Sequence, residues 1–311
     1  MSNPTYGIAL PQVYVESPFD RDELHAFVVR AEALGFTGLW TQDQLIGAAT
    51  TFDGVSLLCY VASLTRTIRL GVSVIVLPHR TPVPLAKSLA TLDQLSGGRL
   101  DVGLGLGNPN PHEAAYGLPA GERLRRFREG LATMKALWAD GIANHADGAW
   151  PLRDAPMEPK PLGRPHPRLW FGGRHPNALR RAVREADGWM GAGSSTIPAF
   201  VEQYALVREQ LDVAGRDPRS FRVAKRMYVA IDENEARAER RLRTWFDRYY
   251  ANADLANQVC IWGSAAKVAD AVSSVTQAGA EHVLLNPLFD YPMHLEALAQ
   301  VLPLGEQNEP K

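Results

Sequence analysis

The sequence predicts an α/β fold, a TIM (β/α)8 barrel, formed by one domain over residues 1–311. Short apolar runs rich in β-branched residues alternate with longer segments of helical periodicity. We count eight such strand–helix units, a number that suits a chain of 311 residues. The runs lack polar alternation, as strands of a parallel sheet do when both faces are buried. No linker divides the chain, and a doubly wound sheet is the alternative fold.

The first half of the chain predicts four units and then an interruption. Strands are predicted at Tyr6–Leu10, in "FTGLWTQDQ", at Ile68–Leu77 and at Leu100–Leu106. Helices are predicted at Asp20–Leu34, Val55–Leu64, Pro82–Leu95 and Arg123–Trp138, each with apolar residues at helical spacing. The segment Gly141–Pro167 holds six prolines and little periodicity. It therefore predicts an inserted loop or hairpin after strand 4.

The second half resumes the alternation. Strands are predicted in "RLWFGG", "GWMGAG", "FRVAKRMYVAI" and "EHVLLNPL". Helices are predicted at Asn177–Ala186, Pro198–Ala214, Glu233–Tyr249, Ser264–Ala278 and His294–Leu302. The Arg- and Glu-rich helix of this set is expected to present a solvated face, and the tail "GEQNEPK" is expected to fray.

Composition excludes several classes of partner. The formal net charge is −1, with 33 Lys and Arg against 34 Asp and Glu, so we expect neither a nucleic-acid nor a membrane surface. No apolar run approaches the roughly 20 residues of a membrane span. The start "MSNPTYGIALPQ" lacks the pattern of a signal peptide, so we expect a cytoplasmic protein. Cys59 and Cys260 lie in apolar surroundings, which predicts buried thiols, with a lone disulfide as the alternative.

Polar and Gly-rich residues follow most of the predicted strands. These strand ends read "WTQDQ", "LPHR", "GLGNPNPHE", "FGGRH", "GAGSS" and "LNP". In a TIM barrel the carboxyl ends of all strands meet at one face, where active sites are found. The pattern therefore predicts a shared pocket at that face.

Four blocks of the sequence resemble one family. The run "IRLGVSVIVLPHRTPVPLAKSLATLDQLSGGRLDVGLGLG" resembles the signature of the bacterial luciferase-like monooxygenase family. "LWTQDQ", "RLWFGGRHPNALRRAVREADGW" and "GSAAKVADAVSSVTQAGAEHVLLNP" resemble three further blocks in family order, and the deazaflavin (F420)-dependent branch is the most similar. The resemblance implies a TIM barrel with an insertion after strand 4, and reduced FMN or F420 bound at the strand ends.

The third and fourth strands carry predicted contacts to the coenzyme ring. The resemblance implies a cis peptide between Ser73 and Val74, forming a bulge that backs the ring. Gly105, Gly107 and Asn108 are assigned to the coenzyme because small residues let a flat ring approach the backbone. Tight packing inside the barrel is the alternative reason for glycine in this run.

The fifth strand end predicts a phosphate site. Gly172 and Gly173 lead into a helix, where free backbone N–H groups bind anions. Arg174 could add a charge-assisted hydrogen bond to the phosphate. The alternative is a Gly-containing turn with a solvated arginine.

Asp43 and Gln44 are the predicted catalytic positions at the end of strand 2. The family usually has Asp or Glu followed by His here, and that His often acts as acid or base. Gln44 exchanges no proton near neutral pH, and Asp43 either hydrogen-bonds the pyrimidine edge of the ring or caps the loop. His79, His112 and His175 are expected to be solvated, and no Cys/His cluster indicates a metal site.

These residues support three functional hypotheses. The first is an oxidoreductase that transfers a hydride between F420 and a small organic substrate. The second is an FMN-dependent monooxygenase that receives reduced flavin from a partner reductase, and the third is a non-catalytic flavin-binding barrel. F420 is favoured because its acidic tail suits the cations of the strand ends, and few acidic residues accompany them. These cations are His79, Arg80, His112, Arg174 and His175, and the acidic residues are Asp43 and Glu113.

The substrate and the assembly are predicted only in outline. The segments Gly141–Pro167 and Tyr249–Trp262 are expected to form the substrate wall. The resemblance implies a homodimer formed through helices of the N-terminal half. Val55–Leu64 and Pro82–Leu95 agree with that expectation because apolar residues surround more than one face of each helix.

Overall fold

The computed structural model of the chain describes residues 3–109 and 111–305, and it confirms the predicted TIM barrel. The predicted frayed tail lies, from residue 306 onward, outside the described residues. Eight parallel strands form the barrel, and the eighth pairs with the first to close it. They are β1 (Thr5–Ala9), β2 (Gly38–Thr41), β3 (Arg69–Val76), β4 (Leu100–Gly105), β5 (Arg168–Gly172), β6 (Gly188–Gly191), β7 (Arg222–Ile231) and β8 (His282–Pro287).

Helices surround the barrel. They are α1 (Arg21–Ala33), α2 (Gly54–Leu64), α3 (Pro82–Leu95), α4 (Arg123–Trp138), α5 (Pro176–Glu185), α6 (Ile197–Val213), α7 (Glu235–Tyr250), α8 (Leu255–Val259), α9 (Ala265–Gln277) and α10 (Tyr291–Val301). Side-chain caps fix several starts: Asp20 accepts hydrogen bonds from the first turn of α1, and Ser264 does so for α9. Helix α7 begins two residues later than predicted because Asn234 caps it.

Three short strand pairings lie outside the barrel proper. Val13–Tyr14 pairs with Thr50–Thr51, and Cys260–Gly263 extends the sheet along the end of β7. Between α4 and β5, Ala143–His145 pairs with Leu152–Ala155 in an antiparallel hairpin.

The segment 141–167 is anchored to the outer helices. The Asp93 carboxylate accepts hydrogen bonds from the backbone N–H groups of Leu162 and Gly163, at 2.7 and 3.0 Å. The Lys160 ammonium donates to the carbonyls of Leu137 and Gly141, at 2.9 and 3.0 Å. Asp93 and Leu137 lie at the ends of α3 and α4 that are remote from the carboxyl ends of the strands. These contacts anchor the two ends of the segment, whereas Ala149 and Trp150 contact Glu129 and Arg126 in the first half of α4.

Two tryptophans fill the amino end of the barrel. A Cβ at Gly71 would lie 2.3 Å from the Trp40 ring, and one at Gly188 would lie 2.8 Å from the Trp170 ring. The glycines thus make room for indoles that are each 2% exposed. Because side chains occupy this end, the open end of the barrel is the one formed by the carboxyl ends of the strands.

The two cysteines are free thiols, which excludes the disulfide alternative. Cys260 is buried, whereas Cys59 is half-buried. Burial raises the pKa of both thiols. None of the helices in the described part of the chain combines the length and the apolar character needed to cross a bilayer.

Candidate active site

A bulge in β3 forms one wall of the barrel mouth. The Ser73–Val74 peptide is cis, as predicted, and the pairing of β3 with β4 changes register between Val72 and Ile75. The Ser73 carbonyl accepts a hydrogen bond of 2.9 Å from the guanidinium of Arg226. The Val74 side chain is half-buried, so it retains an accessible surface at the mouth.

Three glycines enclose the Val74 side chain. A Cβ at Gly105 would lie 2.7 Å from Val74 Cγ2, and Cβ atoms at Gly172 and Gly103 would each lie 3.0 Å from Val74 Cγ1. Glycine at these positions therefore lets Val74 pack against β4 and β5. This arrangement agrees with the alternative that the glycines serve packing inside the barrel. It does not require a coenzyme to approach Gly105 directly.

The loop after β4 is tied to α4. Gly107 has φ of +65°, and a Cβ there would lie 2.6 Å from Val76. The Arg123 guanidinium donates to the carbonyls of Gly107 and Asn108 and forms an ion pair with Glu113 at 2.9 Å. The backbone of Asn108 is thereby fixed, while its side chain is exposed at the rim.

Asp43 holds the end of β3. One of its carboxylate oxygens accepts a hydrogen bond of 2.9 Å from the backbone N–H of Val76, and the other pairs with Arg80. Arg80 also pairs with Asp53 at 2.8 Å. Two carboxylates thus neutralise Arg80, which removes it from the set of free cations that we expected at the strand ends.

Gln44 connects the mouth to α7. Its Nε2 donates to the carbonyl of Tyr249 at 3.1 Å, and its Oε1 accepts a long hydrogen bond of 3.4 Å from Thr51. Both ends of the amide are therefore occupied by protein partners. Its position favours a role in holding α7 near the strand ends.

The carboxyl end of α7 contributes an aromatic cluster that packs on β7. Trp245 and Tyr249 stack with ring centroids 4.7 Å apart, and the hydroxyls of Tyr228 and Tyr250 are 2.6 Å apart. Burial raises the pKa of Tyr228 and Tyr249, so both phenols stay protonated. Since Gln44 links Tyr249 to the loop after β2, this cluster borders the mouth.

Sequence reasoning missed a buried cation inside the barrel. Arg226 on β7 is 8% exposed, and its Nε donates to Asn286 Oδ1 at 2.9 Å. A second hydrogen bond reaches Gln42 Oε1, and a third reaches the Ser73 carbonyl. Arg226 forms no ion pair with any carboxylate of the described residues. Its positive charge therefore remains uncompensated beside the bulge of β3.

The neighbouring Lys225 points to the outside of the barrel wall. Its ammonium donates to the carbonyls of Ala192 and Ser195 and to the Ser195 hydroxyl, the last two at 2.7 and 3.1 Å. Burial, and then the charge of Arg226, lowers the pKa of Lys225 to about 7. Lys225 thus fixes the loop after β6. Two adjacent cations in the apolar run "FRVAKRMYVAI" were the signal that could have located both residues.

The start of α5 differs from the predicted anion site. Pro176 has no N–H group, and the N–H of Asn177 donates to His175 Nδ1 at 3.2 Å. The N–H groups of Ala178 and Leu179 donate to the His175 carbonyl. The first turn of the helix therefore keeps its donors for its own cap, and His175 is a capping residue.

The turn before α5 has free donors instead. Among the described residues, none accepts a hydrogen bond from the backbone N–H groups of Gly173, Arg174 and His175. The Arg174 side chain is exposed and likewise has no hydrogen-bond or ion-pair partner in the described part of the chain. Gly173 has φ of +148°, and a Cβ there would lie 2.8 Å from Ala178. Three consecutive N–H groups and a guanidinium can bind an anion.

His79 differs from the solvated side chain that we expected. Its ring stacks on Tyr116 with centroids 4.3 Å apart, and its Nε2 is buried without a partner among the described residues. Burial, and then the charge of Arg123, lowers the pKa of His79, so the ring is neutral at neutral pH. In residues 3–109 and 111–305, no three His, Cys, Asp or Glu side chains lie close enough together to hold a metal ion.

Comparison with known sequences identifies similar proteins. A family model described as "Luciferase-like monooxygenase" matches residues 7–282. A phthiodiolone/phenolphthiodiolone dimycocerosates ketoreductase from Mycobacterium sp. (strain JLS) is 32% identical over 178 residues, 56% of this chain and 47% of that protein. The chain thus spans about half the length of the curated relatives that it matches.

Solved structures share the whole fold. An F420-dependent secondary alcohol dehydrogenase, in complex with an F420–acetone adduct, has a TM-score of 0.84 at 18% identity, over 97% of this chain and 99% of that chain. The oxygenating constituent of 3,6-diketocamphane monooxygenase from Pseudomonas putida, in complex with FMN, has a TM-score of 0.76 at 18% identity, over 97% of each chain. At this level of identity the likeness establishes the fold alone.

Proposed function

The chain belongs to the luciferase-like monooxygenase family, a family of oxidoreductases, and we propose that it uses F420 to transfer a hydride between the coenzyme and the carbonyl or alcohol carbon of a small organic substrate. Two of the similar proteins support this choice, since one is a ketoreductase and one is an F420-dependent alcohol dehydrogenase. The FMN-bound neighbour supports the alternative of a flavin monooxygenase.

The observation that carries the proposal is the uncompensated charge of Arg226. Its guanidinium lies 2.9 Å from the Ser73 carbonyl and has no carboxylate partner among the described residues. When a carbonyl carbon accepts a hydride, negative charge develops on its oxygen. A buried cation in a region of low dielectric stabilises such charge strongly.

The residues of the mouth fit a deazaflavin. The half-buried face of Val74 offers an apolar surface for a flat ring. The free N–H groups of Gly173, Arg174 and His175 suit a phosphate, and the unpaired guanidinium suits the acidic tail beyond it. The bound coenzyme would supply or accept the hydride.

The other residues of the mouth position this chemistry. Asp43 holds the backbone of β3 that carries Val74, and Gln44 holds the end of α7 near the strand ends. Asp43 forms an ion pair with Arg80, and the amide of Gln44 does not titrate. The aromatic cluster of α7 adds apolar surface beside the mouth.

Titration of the purified protein with F420 and with FMN, each in both redox states, tests the proposal. We expect F420 to bind more tightly, and the protein to reduce F420 with a secondary alcohol. Submicromolar FMN binding without detectable F420 binding would refute the coenzyme assignment. F420 binding without turnover of any alcohol or ketone would favour the non-catalytic barrel.

A further inference from the structure

We propose that the side-chain amide of Gln42 donates a hydrogen bond to the reacting oxygen of the substrate, next to the guanidinium of Arg226. The inference rests on the proposed function and names its substrate class, an uncharged ketone or the corresponding secondary alcohol. Gln42 lies directly after β2 and is 7% exposed.

A second glutamine fixes the backbone of Gln42. Gln12 Oε1 accepts a hydrogen bond of 2.7 Å from the Gln42 N–H, and Gln12 Nε2 donates to the Gln42 carbonyl at 2.8 Å. The same Nε2 donates to the Phe52 carbonyl at 2.7 Å. The amide of Gln12 is thus fully used in holding Gln42 in place, which pre-organises the Gln42 side chain.

Arg226 determines which end of the Gln42 amide is free. A guanidinium only donates, so the contact with Arg226 occupies Gln42 Oε1 and directs Nε2 away from the cation. No described residue accepts a hydrogen bond from this Nε2. This Nε2 is not one of the fully buried side-chain atoms without a partner, so its two N–H groups are available to a ligand or to water.

The free amide belongs to the wall of a small cavity. Gln42, Arg226 and Asn286 contribute to its polar wall together with Gln12 and Thr41, and Trp40, Leu284 and Trp245 contribute apolar wall. The free space is that of about one water molecule. No acidic side chain of the described residues lines it. The cavity therefore suits a single oxygen atom that accepts hydrogen bonds, with the rest of the ligand toward the mouth.

The cavity adjoins the bulge on which the ring would lie. Arg226 lines the cavity and also contacts the carbonyl of Ser73, the residue before Val74. An oxygen bound by Gln42 would thus belong to a carbonyl close to the face of the ring. A carboxylate in place of the ketone would bring a second oxygen, whereas the free space here is that of about one water molecule.

The proposed reduction adds one hydride and one proton to the ketone. In the direction of reduction, the carbonyl carbon gains a hydride from reduced F420, and the π electrons of the C=O bond move to the oxygen. The resulting alkoxide, held by Gln42 and Arg226, takes a proton from solvent. Reduced F420 carries one proton more than oxidised F420 in addition to the hydride, and this proton is released to solvent. The overall change is therefore ketone plus reduced F420 to alcohol plus oxidised F420.

The variant Gln42→Met tests the donor without adding charge, because methionine offers no N–H to the substrate. Gln42→Glu keeps an acceptor for Arg226 but also pairs its positive charge, so this variant reports the loss of the donor together with the neutralisation of Arg226. With cyclohexanol and oxidised F420, we expect either change to lower kcat about 10²-fold, the usual effect of losing one donor to a developing oxyanion. The half-buried Gln210 on α6 provides the control, and Gln210→Glu should leave kcat unchanged.

The infrared C=O stretch of bound cyclohexanone gives a second readout that needs no turnover. In the complex with oxidised F420, we expect this stretch to move to higher frequency in Gln42→Met, while the Kd for F420 stays within about twofold of wild type. An unchanged stretch, failure of cyclohexanone to bind, or a tenfold rise in the F420 Kd would overturn the inference. Failure of wild type to bind F420 would instead overturn the proposed function. In that case, the C=O stretch of cyclohexanone bound to the coenzyme-free protein, compared between wild type and the Gln42 variant, would still test the hydrogen bond from Gln42.

Discussion

Replacing Gly105 with alanine should disturb the candidate site through Val74. The added Cβ would lie 2.7 Å from Val74 Cγ2, whereas carbon atoms in contact are ordinarily 3.5–4.0 Å apart. One of the two groups must therefore move by about 1 Å. Valine has restricted χ1 rotamers, and Cβ atoms at Gly103 and Gly172 would also lie close to it, so little free space is available.

The added methyl group should lower the free energy of unfolding because it overpacks the barrel wall. Insertion of a methyl group into a well-packed region destabilises proteins by about 1–3 kcal/mol, and we expect Gly105→Ala to fall in this range. The displaced Val74 would also present a different surface at the mouth, so the affinity for F420 should fall. Urea denaturation gives the free energy of unfolding, and a fluorescence titration gives the affinity.

A double-mutant cycle distinguishes this cause from a general effect of alanine. Val74→Ala removes the methyl groups that the new Cβ would meet, so the double variant should be more stable than the sum of the single changes predicts, by at least about 1 kcal/mol. Gly130→Ala is the control: its Cβ would lie 3.6 Å from Leu77, an ordinary contact, and alanine favours a helix by up to about 1 kcal/mol. Additive single changes, or a fully stable Gly105→Ala, would show that the contact with Val74 does not govern this position.

Three further outcomes follow from charges in the structure. Burial lowers the pKa of His282 to about 4, so the unfolded chain binds the proton more tightly, and stability should fall by up to about 3 kcal/mol as the pH drops from about 6.5 to about 4. His282→Gln should flatten this profile in urea denaturation across the same range. Arg174→Ala should raise the Kd for F420 more at low than at high salt, and Arg208→Ala, an exposed arginine on α6, should not. Arg80→Ala should lower stability by about 3 kcal/mol, because it leaves the buried Asp43 unpaired, without changing the salt dependence of F420 binding.

The barrel strands and most helices could be predicted because their signals are local. The run that predicts a strand at Leu100–Leu106 becomes a strand one residue shorter, and the predicted helix Arg123–Trp138 has the same bounds in the structure. The sequence did not indicate α8 or the strand Cys260–Gly263. That strand is ordered by pairing with the end of β7, where Tyr228 lies opposite Cys260. These two residues are 32 positions apart, and a pairing over that distance leaves no periodic pattern in the local sequence.

The sequence predicts that the site lies at the strand ends, but it does not predict why particular residues occur there. The glycine pattern of β4 is local, whereas the side chain that requires glycine, Val74, comes from the preceding strand. At the start of α5, the sequence predicts free helix donors, but the His175 ring accepts one of them. The backbone carbonyl of His175 accepts two more, and the N–H groups without partners lie in the preceding turn at Gly173 instead.

The two arginines near the mouth show what a local pattern leaves undetermined. Arg80 follows a strand end, where a cation is expected to be free, yet it pairs with Asp43 and Asp53 and its charge is neutralised. Arg226 lies within an apolar strand, where a cation is expected to be paired, yet its partners are a backbone carbonyl and two amide oxygens, one of them from Gln42. Neutral acceptors satisfy the hydrogen bonds of a guanidinium but leave its field uncompensated. The positive potential inside the barrel therefore depends on which elements meet at β7, and three segments far apart in the chain supply those acceptors.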